Sequence, residues 1–239
     1  MKKIVFLGLF IIIIFSCMRE EKPKVIYPDN ENIASAELEK DTSLIELADI
    51  PIHFDSTKYL IHPIGEYKMY GSSKRKSSFG AASYGSRNLS SSNYSKYEIT
   101  GNLLNLRFQH LDSDKLSILT TANIRIKSIT FLRGLFKNTK KQFLIYRVLD
   151  KDTNQDNVID NSDVESLYLS HIDGYGFEKL SPNYQELIDW RELEINNRVY
   201  FRSVEDTNKN GEFDRDDNIH YHYVEFTDEK PQVVEYNPI

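Results

Sequence analysis

The feature that most constrains this chain is a segment it contains twice: residues 145–163 align with residues 199–217 at an offset of 54. Each copy runs from an aromatic stretch through Asp-Thr-Asn to two further aspartates, Asp160 and Asp163 in one copy, Asp214 and Asp217 in the other. Phe143-Leu144-Ile145-Tyr146-Arg147-Val148 enters the first loop and Leu167-Tyr168-Leu169 leaves it; Arg198-Val199-Tyr200-Phe201 enters the second and residues 220–226 leave it. These flanks carry strand patterning, so each loop is expected to join the two strands of a hairpin. Asp173-Gly174 then predicts a tight turn with positive φ, followed by a third strand over residues 177–180. With 15 Tyr and 13 Phe against 3 Met, the composition suits pleated, half-buried strands better than a helix bundle. The expected fold class is all-β, built from repeated antiparallel β-sheet units.

Within each repeat, oxygen-bearing residues recur at the spacing of an EF-hand-type loop. There, positions 1, 3, 5, 7 and 9 and an acid at 12 surround Ca²⁺, and glycine at 6 makes the sharp turn. The first copy offers Asp152, Asn154, Asp156, the main-chain carbonyl of Val158, Asp160 and Asp163, with Asn157 at position 6. The second offers Asp206, Asn208, Asn210, the carbonyl of Glu212, Asp214 and Asp217, with Gly211 at position 6. Asn is the non-glycine residue that best tolerates a left-handed backbone, so both loops can make the turn. Position 8 is apolar in both, Ile159 and Phe213, and is expected to pin each loop to the core. Carboxylate and amide oxygens suit Ca²⁺, and neither loop contains the His or Cys that would point to zinc. Two calcium sites are expected. Asp at position 12 in place of a bidentate Glu favours weak structural sites, filled outside the cell at about 10⁻⁴ to 10⁻³ M without acting as a switch.

The loops resemble dockerin repeats, which also carry Asp at positions 1 and 12. Dockerin loops, however, are flanked by helices and lie close together; here strands flank them, so cohesin binding is not implied. Leu167-Tyr168-Leu169, Ile172-Asp173-Gly174 and Lys179-Leu180-Ser181-Pro182 resemble the blade pattern of TolB-like and WD40-like β-propellers. That resemblance transfers no catalytic residue. It implies propeller-blade-like units, open or incomplete, because closed propellers have about four to eight blades. A degenerate unit without a metal loop is expected over residues 100–120, turning through Asp112-Ser113-Asp114. Residues 59–70 and 124–136 are expected to add strands, and the Ser- and Gly-rich residues 71–95 to form a mobile surface loop.

At the N-terminus, Lys2 and Lys3 precede a twelve-residue apolar run, residues 4–15, and then Ser16-Cys17. This is the layout of an export signal, and the run is shorter than the roughly 17 to 25 residues that span a membrane. Ile14-Phe15-Ser16-Cys17 resembles the lipobox of bacterial lipoproteins, with Phe15 bulkier than the usual small residue. The resemblance implies acylation of Cys17 and anchoring through more than one acyl chain. Residues 18–45 are polar, with Pro23 and Pro28, and are expected to be a flexible tether to one domain over residues 46–239. Arg19-Glu20-Glu21 resembles the acidic signal that directs some Bacteroidetes lipoproteins to the cell surface. The expected location is the outer membrane, facing the periplasm or the cell surface.

The chain has 36 acidic and 30 basic residues, which argues against nucleic acid as a partner. Its one basic cluster, Lys74-Arg75-Lys76, falls in the Ser-rich loop. A single cysteine excludes an intrachain disulfide, leaving calcium to supply the stapling. No Gly-Xaa-Ser-Xaa-Gly elbow, P-loop, dinucleotide fingerprint or His-Glu-Xaa-Xaa-His occurs, so no catalytic residue is assigned. His220 and His222 share one strand face without an obvious third ligand and read as surface histidines on an edge strand, and Trp190 reads as core. The expected function is that of a non-enzymatic calcium-binding scaffold, membrane-anchored, for a protein or glycan. Two alternatives stay open: an envelope hydrolase with unrecognised catalytic groups, and a structural subunit that completes its sheets by oligomerisation.

Overall fold

The structure is a computed structural model and describes residues 22–27, 44–68, 91–93, 95–227 and 230–239. The chain forms β1 (Leu44–Ala48), β2 (Ile52–His53), β3 (Tyr59–Lys68), β4 (Glu98–His110), β5 (Leu116–Ile118) and β6 (Arg125–Phe131). A short helix, α1 (Arg133–Thr139), leads to β7 (Phe143–Leu149), β8 (Glu165–His171) and β9 (Glu178–Lys179). β10 (Gln185–Leu193), β11 (Arg198–Glu205), β12 (Asn218–Phe226) and β13 (Pro231–Tyr236) complete it. The fold is all-β with antiparallel sheets.

Both repeats fold as the hairpins the sequence predicts, with β7 and β8 around the first loop and β11 and β12 around the second. Each belongs to a four-stranded meander, β6 to β9 and β10 to β13. The meanders then diverge. β10 to β13 form a separate sheet, whereas β6 pairs onward with β4, Glu98 opposite Thr130 and Leu103 opposite Ile126, and so extends a nine-stranded sheet reaching β1. The described strands close into neither barrel nor propeller.

Two apolar clusters result, and β7 serves both. Its run of apolar residues is buried on both faces, as a strand without alternation should be. Leu144, Tyr146 and Val148 join Ile61, Leu106, Phe108, Ile126 and Phe131 on one side. Phe143 and Ile145 join Leu167 and Leu169 of β8 against Leu187, Val199, Phe201 and Val224 of the four-stranded sheet. The loop-bearing hairpins are thus held by a shared core.

Residues 133–136, expected as strand, are helical. Leu132, Leu135 and Phe136 fall at the i, i+3, i+4 spacing that gathers apolar groups on one helix face, and Leu132 and Leu135 are fully buried. Lys140, at φ 64°, ends the helix by donating its N–H to the Phe136 carbonyl at 2.9 Å. The Asp173-Gly174 turn forms as expected, with Gly174 at φ 82° and a Cβ there 2.4 Å from the Phe108 ring, so glycine is required twice over.

Candidate metal centres

Both loops are shaped by their own carboxylates and amides through one shared set of hydrogen bonds. At position 1, Asp152 accepts the N–H groups of Asp156 and Asn157 at 3.1 and 2.8 Å, and Asp206 those of Asn210 and Gly211 at 3.1 and 2.7 Å. At position 3, Asn154 accepts from Asp156 N–H at 3.0 Å and Asn208 from Asn210 N–H at 2.9 Å. At position 5, Asp156 accepts from Val158 N–H at 2.9 Å and Asn210 from Glu212 N–H at 2.7 Å. At position 9, Asp160 and Asp214 accept the N–H of Ser162 and Asp216 at 2.9 and 2.8 Å. At position 12, Asp163 takes the N–H of Thr153 and Asp160 at 2.6 and 2.9 Å, and Asp217 takes those of Thr207 and Asp214 at 3.0 and 2.9 Å.

Backbone strain repeats as well. Position 6 is left-handed in both, Asn157 at φ 67° and Gly211 at φ 83°, and so is position 4, Gln155 at φ 58° and Lys209 at φ 57°. The first pair is legible from residue type, Asn and Gly; the second is not, because neither Gln nor Lys marks such a backbone. Ile159 at position 8 is buried and Phe213 half-buried. Asp163, buried at 1% exposure, has its carboxyl held above the ordinary range by burial, against the lowering effect of its N–H donors.

Residues 22–27 fall within the stretch expected as a tether. They lie across both loops, with Val25 3% exposed. Lys24 and Ile26 donate their N–H groups to the carbonyls of Ser162 and Thr153 in the first loop at 2.9 and 2.8 Å. Val25 donates to the Gly211 carbonyl in the second loop at 3.0 Å. The Thr153 hydroxyl donates to the Lys24 carbonyl at 2.7 Å, and the Gln155 amide to the Ile26 carbonyl at 3.2 Å. Burial, then the Asp206 carboxylate beside it, push the Tyr27 phenol up to about 12. Cys17, Lys74, Arg75 and Lys76 lie outside the described residues.

Two further charged groups escaped the sequence reading because their partners come from distant strands. Glu165, 3% exposed, pairs with Arg147 and with Lys127 at 2.8 Å, and its N–H donates to Glu186 at 2.6 Å. Burial pushes the Glu186 carboxyl up to about 7; the Glu165 N–H, Lys127 and Arg147 oppose the rise, and the Glu165 carboxylate adds to it. His220 and His222 are not on an edge: β12 pairs with both β11 and β13. His222 is 3% exposed and stacks on Phe201 at 4.7 Å between centroids. His220 faces Glu235 at 2.7 Å and Glu205 at 2.9 Å. Trp190 packs against the second apolar cluster, as expected.

Among the described residues no group of three or more His, Cys, Asp or Glu is gathered to hold a metal. Each EF-hand-type loop offers three or four Asp that the fold does not itself draw together, with Asn amides and a main-chain carbonyl to complete the donor set. The loops have that chemistry: oxygen donors only, with side-chain oxygens at positions 1, 3, 5, 9 and 12 fixed by backbone N–H groups. Each carboxylate has about four lone-pair sites; Asp152, Asp156, Asp160, Asp206, Asp214 and Asp217 keep acceptor capacity for a cation, whereas Asp163 takes four donors, from the Thr153 N–H and hydroxyl and the N–H groups of Asn154 and Asp160. The donor chemistry fits Ca²⁺. No family model, no curated protein and no solved structure matches this chain.

Proposed function

We propose that this chain is a calcium-stabilised, lipid-anchored envelope protein whose two loops each take one Ca²⁺ and whose sheets present a binding surface to a protein or glycan. The observation that carries the reading is that the two loop networks match at five acceptor positions. Two solvated acidic turns have no reason to share five acceptor positions and two left-handed residues. Asp152, Asn154, Asp156, Asp160 and Asp163, with the Val158 carbonyl, would hold one ion. Asp206, Asn208, Asn210, Asp214 and Asp217, with the Glu212 carbonyl, would hold the other. Bound calcium would offset the mutual repulsion of these carboxylates and lock the hairpin ends.

The outer face of the four-stranded sheet supports the scaffold reading. Tyr200, Tyr223 and Tyr236 stand with ring centroids 5.7 to 5.8 Å apart, and Tyr221 lies 6.1 Å from Tyr236. All four are half-buried. Arg198 stacks on Tyr223 at 4.1 Å while paired with Glu225, and Arg202 is paired with Asp189. With Arg198 and Arg202 neutralised and Arg191 opposite Tyr200 on the same face, this is an aromatic platform with polar and charged tips, suited to stacking against sugar rings or apolar side chains. The single cysteine at a lipobox-like site supports the anchor, and one separate four-stranded meander, β10 to β13, supports the propeller-type comparison.

Thermal melting tests the calcium reading. For a Kd of about 10⁻⁴ to 10⁻³ M, calcium at about 10 mM stands at roughly 10 to 100 times Kd and adds about 1.4 to 2.7 kcal/mol per site. Millimolar calcium should therefore raise the wild-type Tm by several degrees, and Asp152→Ala with Asp206→Ala should abolish the rise. An unchanged wild-type Tm on adding a chelator would show the assignment to be wrong.

A further inference from the structure

We propose that residues 22–27 are a strap that calcium fastens across both loops, drawing the domain close to its anchor at Cys17. The inference rests on the calcium reading and goes beyond it, because it assigns a consequence to loading both sites at once. The strap's partners come from the two loops together: Thr153, Gln155 and Ser162 from one, Gly211 and Glu212 from the other. In the first loop these are positions 2, 4 and 11, interleaved with the oxygen donors at 1, 3, 5, 9 and 12. Anything that fixes the donors fixes the surface on which the strap lies. The fit is close, since a Cβ on Gly211 would stand 2.5 Å from the Val25 carbonyl oxygen.

The strap contributes little stability of its own. Val25 is its one fully buried side chain, Ile26 is 49% exposed, and the Lys24–Glu212 ion pair is solvated. One buried Val, five hydrogen bonds and the half-buried Tyr27 ring against Tyr184 roughly offset the entropy of ordering six residues. Docking therefore depends on whether the loops are already rigid, and without a cation their carboxylates repel one another. The geometric consequence is large. Seven residues separate Cys17 from Lys24 and 27 separate it from Leu44, so at about 3.3 to 3.6 Å per residue the maximum reach falls from about 90 to 97 Å to about 23 to 25 Å when the strap closes. Calcium met on export would set this latch.

Hydrogen exchange on the full chain in detergent, in millimolar calcium and in chelator, tests it directly. The amides of Lys24, Val25 and Ile26 should exchange at least about tenfold more slowly in calcium. Asp152→Ala alone and Asp206→Ala alone should each remove most of that slowing, since both loops hold the strap. Equal exchange of these amides by the wild-type chain in the two conditions overturns the latch. Calorimetric calcium titration of the same sample separates the two failures: uptake of calcium without slowing sinks the strap alone, and no uptake sinks the calcium reading as well.

Discussion

Gly211 and Asn157 hold the same place in the two loops, but only Gly211 is pressed against the strap. A side chain there meets both a φ of +83° and the Val25 carbonyl at 2.5 Å, whereas Asn157 already carries a Cβ at φ 67°. Gly211→Ala should lose about 1–3 kcal/mol, and Asn157→Gly should change stability by less than about 1 kcal/mol; urea denaturation in calcium measures both. Glu186 gives a pH prediction. Burial raises its carboxyl to about 7 in the fold, against about 4.5 for an ordinary glutamate, so its stabilising contribution is full below about 4.5 and is lost as pH rises through about 7. Glu186→Gln should therefore leave stability at pH 4.5 nearly unchanged and raise it at pH 8 by about 1–3 kcal/mol. A larger gain at low pH would refute the assignment. None of this was legible at Glu186 in the sequence, since Glu186 on β10 and Glu165 on β8 belong to different sheets that meet only in the packed fold.

At the scale of elements, the second residue of each loop shows what the strap adds. Thr153 is 5% exposed; its hydroxyl donates to the Lys24 carbonyl and accepts the Val164 N–H at 3.0 Å. Thr207 is exposed and makes only local bonds, to the Glu205 carbonyl and from the Asn218 N–H. Thr153→Val should cost about 1–3 kcal/mol through the buried groups it strands, and Thr207→Val under about 1 kcal/mol, read from the melting temperature in calcium. The hairpins and the Gly174 turn were legible because their signals are local: alternation, Asp-Gly, and oxygens at fixed spacing. The strap was not, since residues 18–45 are polar overall and its partner Thr153 lies 129 residues from Lys24. Helix α1 was missed because Leu132, Leu135 and Phe136 sit too close to a genuine strand for their short period to stand out.

For the whole molecule, two meanders with one repeat pattern end in different sheets, and the cause lies outside the repeat. The thirteen-residue β4 offers β6 a pairing edge with register shifts that let it bend, while β10 meets no such edge. Periodicity could announce the units but not how they join. The chain buries its apolar faces in two clusters of its own, so size-exclusion light scattering in calcium should report one chain per particle; a stable dimer would favour the envelope-assembly alternative. The central claim is that two loops wrap calcium with oxygens alone. Isothermal titration of the full chain with CaCl₂ tests it most directly: the account predicts uptake of two ions by the wild type and none by Asp152→Ala with Asp206→Ala, and a wild-type chain that takes up no calcium would contradict it.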